Sequence, residues 1–326
     1  MEEEPETTSL PPGEHEKIGW WDLPHEMRSM IIEKMDDETK LTFLLLSDTC
    51  AIDMARNYIT EVIYWSSRLR IVMNQDIHFH TLDFSTDDDE KCTITYNRSS
   101  SKPYIWKIVE TGSMLEILAQ YFQRIIISVT EIETINIRSS TFSLEQTNIR
   151  HLKKIEHLFI TEKSPFDLFE TGFIDFKQLS IVSKAIHLKN KPLTYHHLQN
   201  MKATEIKLDS EDITSEDVNR FLKSFENGQF HENMRKVKLF LTGANKIKTE
   251  QVLDGLNVFG KSEHSDDKGI HFILVSVSST IRMASVHLNC NMLFMMVRAK
   301  DVFFRDPIFK EKCGPAIDVY LKSLEK

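Results

Sequence analysis

Residues 206–241 read IKLDSEDITSEDVNRFLKSFENGQFHENMRKVKLFL, and this stretch decides the fold. Ile206–Leu208 and Val237–Leu241 are short apolar-rich runs of strand type. Between them, Thr214 with Asp217 three residues on has the spacing of a capping box, which starts a helix. Val218, Phe221, Leu222 and Phe225 follow at helical steps and make one buried face. Gly228 is placed to end the helix. Strand, helix and strand in close succession predict an α/β domain.

The same alternation extends outward from that stretch. Tyr104–Val109 predicts a strand, and Ser113 with Glu116 a second capping-box start. Leu115, Leu118, Phe122 and Ile126 follow it at helical spacing. Strand-like pieces then come at Ile135–Ile137, Leu158–Ile160, Leu179–Ile181 and Ile186–Leu188. Their recurrence every roughly 20–30 residues is compatible with a degenerate leucine-rich-repeat layout. An irregular α/β domain fits them as well. Gly269–Ser278, Met283–Leu288 and Met292–Val297 predict closing antiparallel strands, and Pro315 opens a final helix. Upstream, Ile77–Phe84 and Cys92–Tyr96 read as strands around the acidic run 87–90. That run lacks the spacing of a calcium loop and reads as a solvated hairpin connection.

The N-terminal fifth differs in texture. Residues 1–17 are acidic and Pro-bearing and read as a disordered tail. From 18 to 62 the text predicts three short helices. Pro24 opens the first, whose face carries Met27, Met30, Ile31 and Met35. Leu41, Leu44 and Leu45 mark the second, and Ala51–Ile59 the third. So small a helical unit needs a partner or a neighbouring domain to cover its apolar faces. The expected organisation is a tail over 1–17, a three-helix unit over 18–62 and an α/β domain over 63–326.

Composition narrows the function. Of 326 residues, 41% are hydrophobic and 27% charged, which excludes wholesale disorder. The net charge of -9, with no basic stripe, argues against nucleic acid as a partner. No apolar window is long enough for a membrane helix, and the acidic N-terminus is no secretory signal. Cys50, Cys92, Cys290 and Cys313 are scattered and read as free thiols. The expectation is a soluble, intracellular chain.

Gly255–Ser262 satisfies the P-loop expression GxxxxGK[ST]. Phosphate binding needs a buried strand before that loop and a helix beginning at its Lys. Here KTEQVL before it reads as helix and the text after it as polar loop. The match is therefore taken as a helix-to-strand connection, with a P-loop nucleotide hydrolase as a remote alternative. His78-Phe79-His80 puts two imidazoles on one face of a strand with no ligand partner at metal spacing, and reads as surface histidines. His196-His197 is weaker still. No catalytic group, cofactor or metal site emerges.

Trp21-Asp22-Leu23-Pro24 through Cys50, WDLPHEMRSMIIEKMDDETKLTFLLLSDTC, resembles the F-box. Thr214–Gly228 resembles the T-x-x-D-x-N-x-F-L-K-x-W-x-x-G stretch of the type-2 F-box-associated domain of nematode F-box proteins. Phe225 stands at the family's Trp. Val252–Leu256 resembles that family's short segment ending in Gly and an aliphatic residue. Residues 282–286 and 294–297 resemble its closing strands. These resemblances imply a non-catalytic substrate receptor of an SCF-type cullin–RING ubiquitin ligase. Its N-terminal helices would bind the Skp adaptor, and through it a cullin. Leu23, Pro24, Met27, Ile31, Met35, Leu41 and Leu44 would be the anchors, and the C-terminal domain would hold an unnamed target. An adaptor-bound interaction module without a ubiquitination role is the alternative.

Overall fold

The computed structural model describes residues 19–36, 39–40, 42–43, 59–73, 79–86, 91–98, 105–138, 149–161, 173–189, 193–242, 246–263, 269–277, 280–305 and 307–324. The strands are β1 (Ile59–Trp65), β2 (Arg68–Met73), β3 (Phe79–Thr86), β4 (Lys91–Arg98), β5 (Ile105–Thr111), β6 (Glu131–Arg138) and β7 (Lys154–Ile160). They continue as β8 (Val182–Lys189), β9 (Glu205–Ser210), β10 (Lys236–Leu241), β11 (Phe259–Glu263), β12 (Ile270–Val277), β13 (Ile281–Asn289) and β14 (Met292–Ala299). The helices are α1 (His25–Lys34), α2 (Met114–Ser128), α3 (Phe176–Ile181), α4 (Tyr195–Asn200), α5 (Ser215–Glu226), α6 (Thr249–Leu253), α7 (Lys300–Phe303) and α8 (Pro307–Leu324).

All 14 strands form one mixed sheet in the order β11-β12-β13-β14-β10-β9-β8-β7-β6-β1-β2-β3-β4-β5. The middle, from β1 through β6 to β10, is parallel. The two flanks are antiparallel meanders, and β14 joins β10 antiparallel. Parallel neighbours need crossovers, and α3, α4 and α5 supply short ones between β7 and β10.

Side chains alternate across a strand, so register assigns each residue to a face. One row runs through Val237, Ile206, Ile186, Leu158, Ile135 and Val62, which are paired in register and all buried. This face carries the main core, covered by α2 with Leu118, Phe122 and Ile125 and by α5 with Val218, Phe221 and Phe225. The opposite face holds a smaller core at the β12–β13 end. There Ile273, Val275 and Met283 pack with Phe303 of α7 and with Cys313 and Ile317 of α8.

This architecture corrects the sequence reading. One mixed sheet, in place of an N-terminal three-helix F-box bundle followed by an α/β, leucine-rich-repeat-like domain, organises the described residues. Before the sheet, the described residues hold a 3-10 turn at Trp20–Asp22, α1 and helical backbone at 39–40 and 42–43. The third helix expected over Ala51–Ile59 has residues 51–58 outside the described residues, and Ile59 opens β1. The physical reason lies in ITEVIYW: a β-branched and aromatic run fits a pleated sheet better than a helix. Pairing with both β2 and β6 makes that run a central strand. It crosses residue 62, where the sequence reading closed the helical unit. Leu41, Leu44 and the tail over 1–17 also lie outside the described residues.

Local departures have local causes. Leu179–Ile181, expected as strand, is the end of α3, because the Asp175 carboxylate caps it by accepting from the backbone N–H groups of Lys177 (2.8 Å) and Gln178 (3.2 Å). Residues 259–263, expected as connection, form the edge strand β11.

Candidate functional site

The N-terminal elements attach to the core on one side and present apolar groups on the other. Ile32 of α1 is buried, at 1% exposure, and Trp20, Met35 and Phe43 pack partly against the same core. Trp20 and Phe43 meet edge to face at 4.7 Å. On the far side of α1 from Ile32, about 100–160° round the helix at 100° per residue, the face written into the sequence as apolar stays uncovered. Met27 is 50% exposed, Met30 57% and Ile31 38%, with Trp21 at 50% beside them. Residues 27, 30 and 31 are three and four apart and so form one patch. Leu23 is half-buried in the link to α1 and Pro24 is its exposed N-cap, one position earlier than expected. The Arg28 guanidinium lies 5.2 Å from the centre of the Trp21 ring. Among the expected anchors, the structure thus groups Met27 and Ile31 on an exposed face, with Leu23 and Pro24 at its entrance. It turns Met35 towards the core.

The centre of the sheet domain is organised by α5. The Thr214 hydroxyl accepts from the Asp217 backbone N–H (3.2 Å), and Asp217 Oδ2 accepts from the Thr214 backbone N–H (3.0 Å). The reciprocal pair satisfies two donors that a bare helix start leaves open. Gly228, at φ +70°, follows the helix end and donates to the Phe225 carbonyl at 3.0 Å. Asn219 is buried, and its Nδ2 donates to the carbonyls of Val252 (2.7 Å) and Asp254 (2.9 Å), tying α6 to α5. Ser215 Oγ accepts from the Lys248 backbone N–H at 2.9 Å. A cleft of about 830 Å³ beside this junction is lined by Glu216, Asn219, Arg220, Lys223, Glu250 and Asp254, among others. Its charges are mixed, and Arg220 is taken by Glu216 at 2.7 Å.

The remaining motifs resolve into structure. Gly260, Lys261 and Ser262 lie in β11, where P-loop chemistry requires the first turn of a helix. Lys261 faces Glu263 at 3.9 Å. Gly260 has φ +57° and sits where a Cβ would stand 2.5 Å from Cys313 Sγ, so packing accounts for this glycine. His80 is not a surface histidine. It is 1% exposed, continues the buried row from Ile71, stacks on Tyr96 and hydrogen-bonds its hydroxyl through Nδ1. His78 lies outside the described residues. His196 is exposed, whereas His197 is buried and its Nδ1 accepts from the Thr194 backbone N–H at 3.0 Å, closing the α4 cap.

Glu133, Glu156 and His157 bring three potential ligand atoms within 4.8 Å of one another. The Glu156 carboxylate is already engaged by Lys184 at 2.5 Å and Lys154 at 3.5 Å. The Lys184 hydrogen bond holds its carboxyl below the usual range. Lysines thus answer the charge that a cation would need.

The open face of the parallel strands carries a group that sequence reading passed over. Phe159, His187, Lys207, Lys238 and Phe294 stand side by side on β7, β8, β9, β10 and β14. They line a cleft of about 450 Å³ together with Lys236 and Glu205, among others. Burial, then Lys207 and Lys189, push the His187 imidazole down to about 4, so it is neutral at pH 7. The signal was present in the alternation of Lys236, Lys238 and Phe240 along β10.

Against this geometry stands one match to known families. Residues 174–239 match the family described as F-box associated, over α3, β8, α4, β9, α5 and most of β10. The match is confined to that segment of the sheet domain. No curated protein and no solved structure matches the chain. Among the described residues, no helix is long and apolar enough to cross a membrane.

Proposed function

We propose that this protein is a non-catalytic substrate receptor of an SCF-type cullin–RING ubiquitin ligase, of the nematode F-box type, working inside the cell. The N-terminal segment, read as 18–62, docks the Skp adaptor through Leu23, Pro24, Met27, Ile31, Met35, Leu41 and Leu44. The sheet domain that follows holds the target. Acceleration is positional: holding the target beside the ligase's charged ubiquitin carrier raises its effective concentration.

The observation that carries this reading is the exposed apolar patch of α1 in a chain with an F-box-associated domain. Water-facing Met27, Met30 and Ile31 contribute little to this fold. Each would contribute about 1.5–3 kcal/mol of gross transfer energy if buried by a partner. Association costs about 4–15 kcal/mol, so several must act together.

Co-purification of the full chain with the Skp adaptor and a cullin tests the reading. The chain should bring down both proteins, and a Leu23→Ala, Pro24→Ala double variant with an unchanged circular dichroism spectrum should lose both. Adaptor without cullin would select the interaction module with no ubiquitination role.

A further inference from the structure

We propose that the open face of the sheet at β8–β10 is a docking groove for an acidic, Asp/Glu-rich segment of a partner protein, with Lys207 and Lys238 as its anchors. The proposal deepens the target-holding reading of the sheet domain and gives the target a chemistry.

Three observations converge. First, Lys207 and Lys238 are direct cross-strand neighbours. Like charges opposite one another destabilise a sheet. The nearby carboxylates do not offset this: Glu205 lies 3.5 Å from Lys236, and Asp209 lies 3.8 Å from Lys189. Neither Lys207 nor Lys238 has a carboxylate within 4 Å among the described residues. The Phe240 ring, 4.6 Å from Lys238 Nζ and 5.8 Å from Lys207 Nζ, holds both ammonium groups over this face. Second, the next group in the row, His187, is neutral at pH 7. Its Nε2 is shielded from solvent and has no hydrogen-bond partner. Third, Phe159 and Phe294 bound the row and are only half-buried. The groove therefore offers two uncompensated cations between two apolar walls, on a chain whose net charge is -9.

That pattern selects the occupant. Lysines act as point charges and lack the planar fork with which Arg grips a phosphate bidentately, and among the described residues no Arg lines this groove. Carboxylates spaced along an extended segment suit adjacent ammonium groups, with an apolar residue against a Phe wall. A nucleic acid would extend beyond the groove over a chain of like charge.

The test is fluorescence anisotropy with the full chain and no adaptor present, so its outcome is independent of adaptor binding. The probe is a labelled ten-residue peptide of Glu and Asp with one central Phe. The proposal expects binding that weakens with salt. It also expects a loss of about tenfold or more for a Lys207→Gln, Lys238→Gln variant, and none for a distant Lys177→Gln, Lys310→Gln control. A Phe294→Leu variant, which preserves an apolar wall, should retain binding. No binding by the wild-type chain would overturn the proposal, as would equal affinity of the Gln double variant. Tighter binding of a phosphoserine peptide lacking Asp and Glu would overturn it in favour of a phosphate site. Displacement of the acidic peptide by single-stranded RNA at lower concentration would overturn it in favour of nucleic acid.

Discussion

Replacing Asn219 with Leu tests the internal logic of the sheet domain. Asn219 Nδ2 serves two carbonyls on the segment that closes α6, and its side chain is buried at the floor of the cleft beside α5. Leu has the same branched shape and the same number of side-chain heavy atoms, so the change removes donors without opening a cavity. The two carbonyls differ. Val252 is fully buried, so its carbonyl loses its donor away from water, a penalty of about 1–3 kcal/mol. Asp254 is exposed, so its carbonyl recovers water and loses only the net worth of one bond, about 1 kcal/mol. The expected destabilisation is about 2–4 kcal/mol. Urea unfolding followed by far-UV circular dichroism reads it as a lower midpoint at unchanged slope. An Asn219→Asp variant should also lose stability, since a carboxylate cannot donate to either carbonyl. A loss below about 0.5 kcal/mol for the Leu variant would refute the reasoning, because a surface substitution costs no more.

Other outcomes follow from the same contacts. Thr214→Ala removes the α5 cap and should cost about 0.5–2 kcal/mol in the same assay, with Thr214→Ser close to wild type. Gly260→Ala forces a side chain into left-handed backbone and against Cys313 Sγ, so the melting temperature should fall, and a Cys313→Ala background should relieve part of the loss. Because folding lowers the His187 pKa from 6.5 to about 4, the unfolded chain binds more protons between those values. Its contribution is complete above about pH 6.5 and is lost as pH falls towards 4. His187→Asn should flatten that part of a stability-against-pH curve.

Local features were legible and non-local ones were not. The Thr214–Asp217 box, the apolar steps to Phe225 and the stop at Gly228 lie within one helix, and each is present as read. Ile59 illustrates the opposite case. A run of apolar and β-branched residues can be written as helix or strand, and partners on β2 and β6, distant in sequence, decide it. The face of His80 was equally hidden, since a one-residue change of register would have exposed it. The P-loop expression shows that spacing alone does not specify chemistry, because the same residues here form an edge strand. For the candidate surfaces, the spacing of Met27, Met30 and Ile31 was plain. Whether that face looks inward or outward depended on Ile32 taking the core position. Only the β10 part of the lysine row, Lys236, Lys238 and Phe240, stood in one segment, and register assembles the rest from separate strands.

The central claim is that α1 offers its apolar face to the Skp adaptor. Isothermal titration of the purified adaptor into the full chain, beside a Met27→Glu, Ile31→Glu variant, tests it most directly. Both side chains are solvent-facing, so the variant should keep the circular dichroism spectrum and melting temperature of the wild type. The account predicts binding by the wild type and a loss of about a hundredfold or more in the variant. Absence of binding by the folded wild-type chain, or equal affinity of the variant, would contradict it.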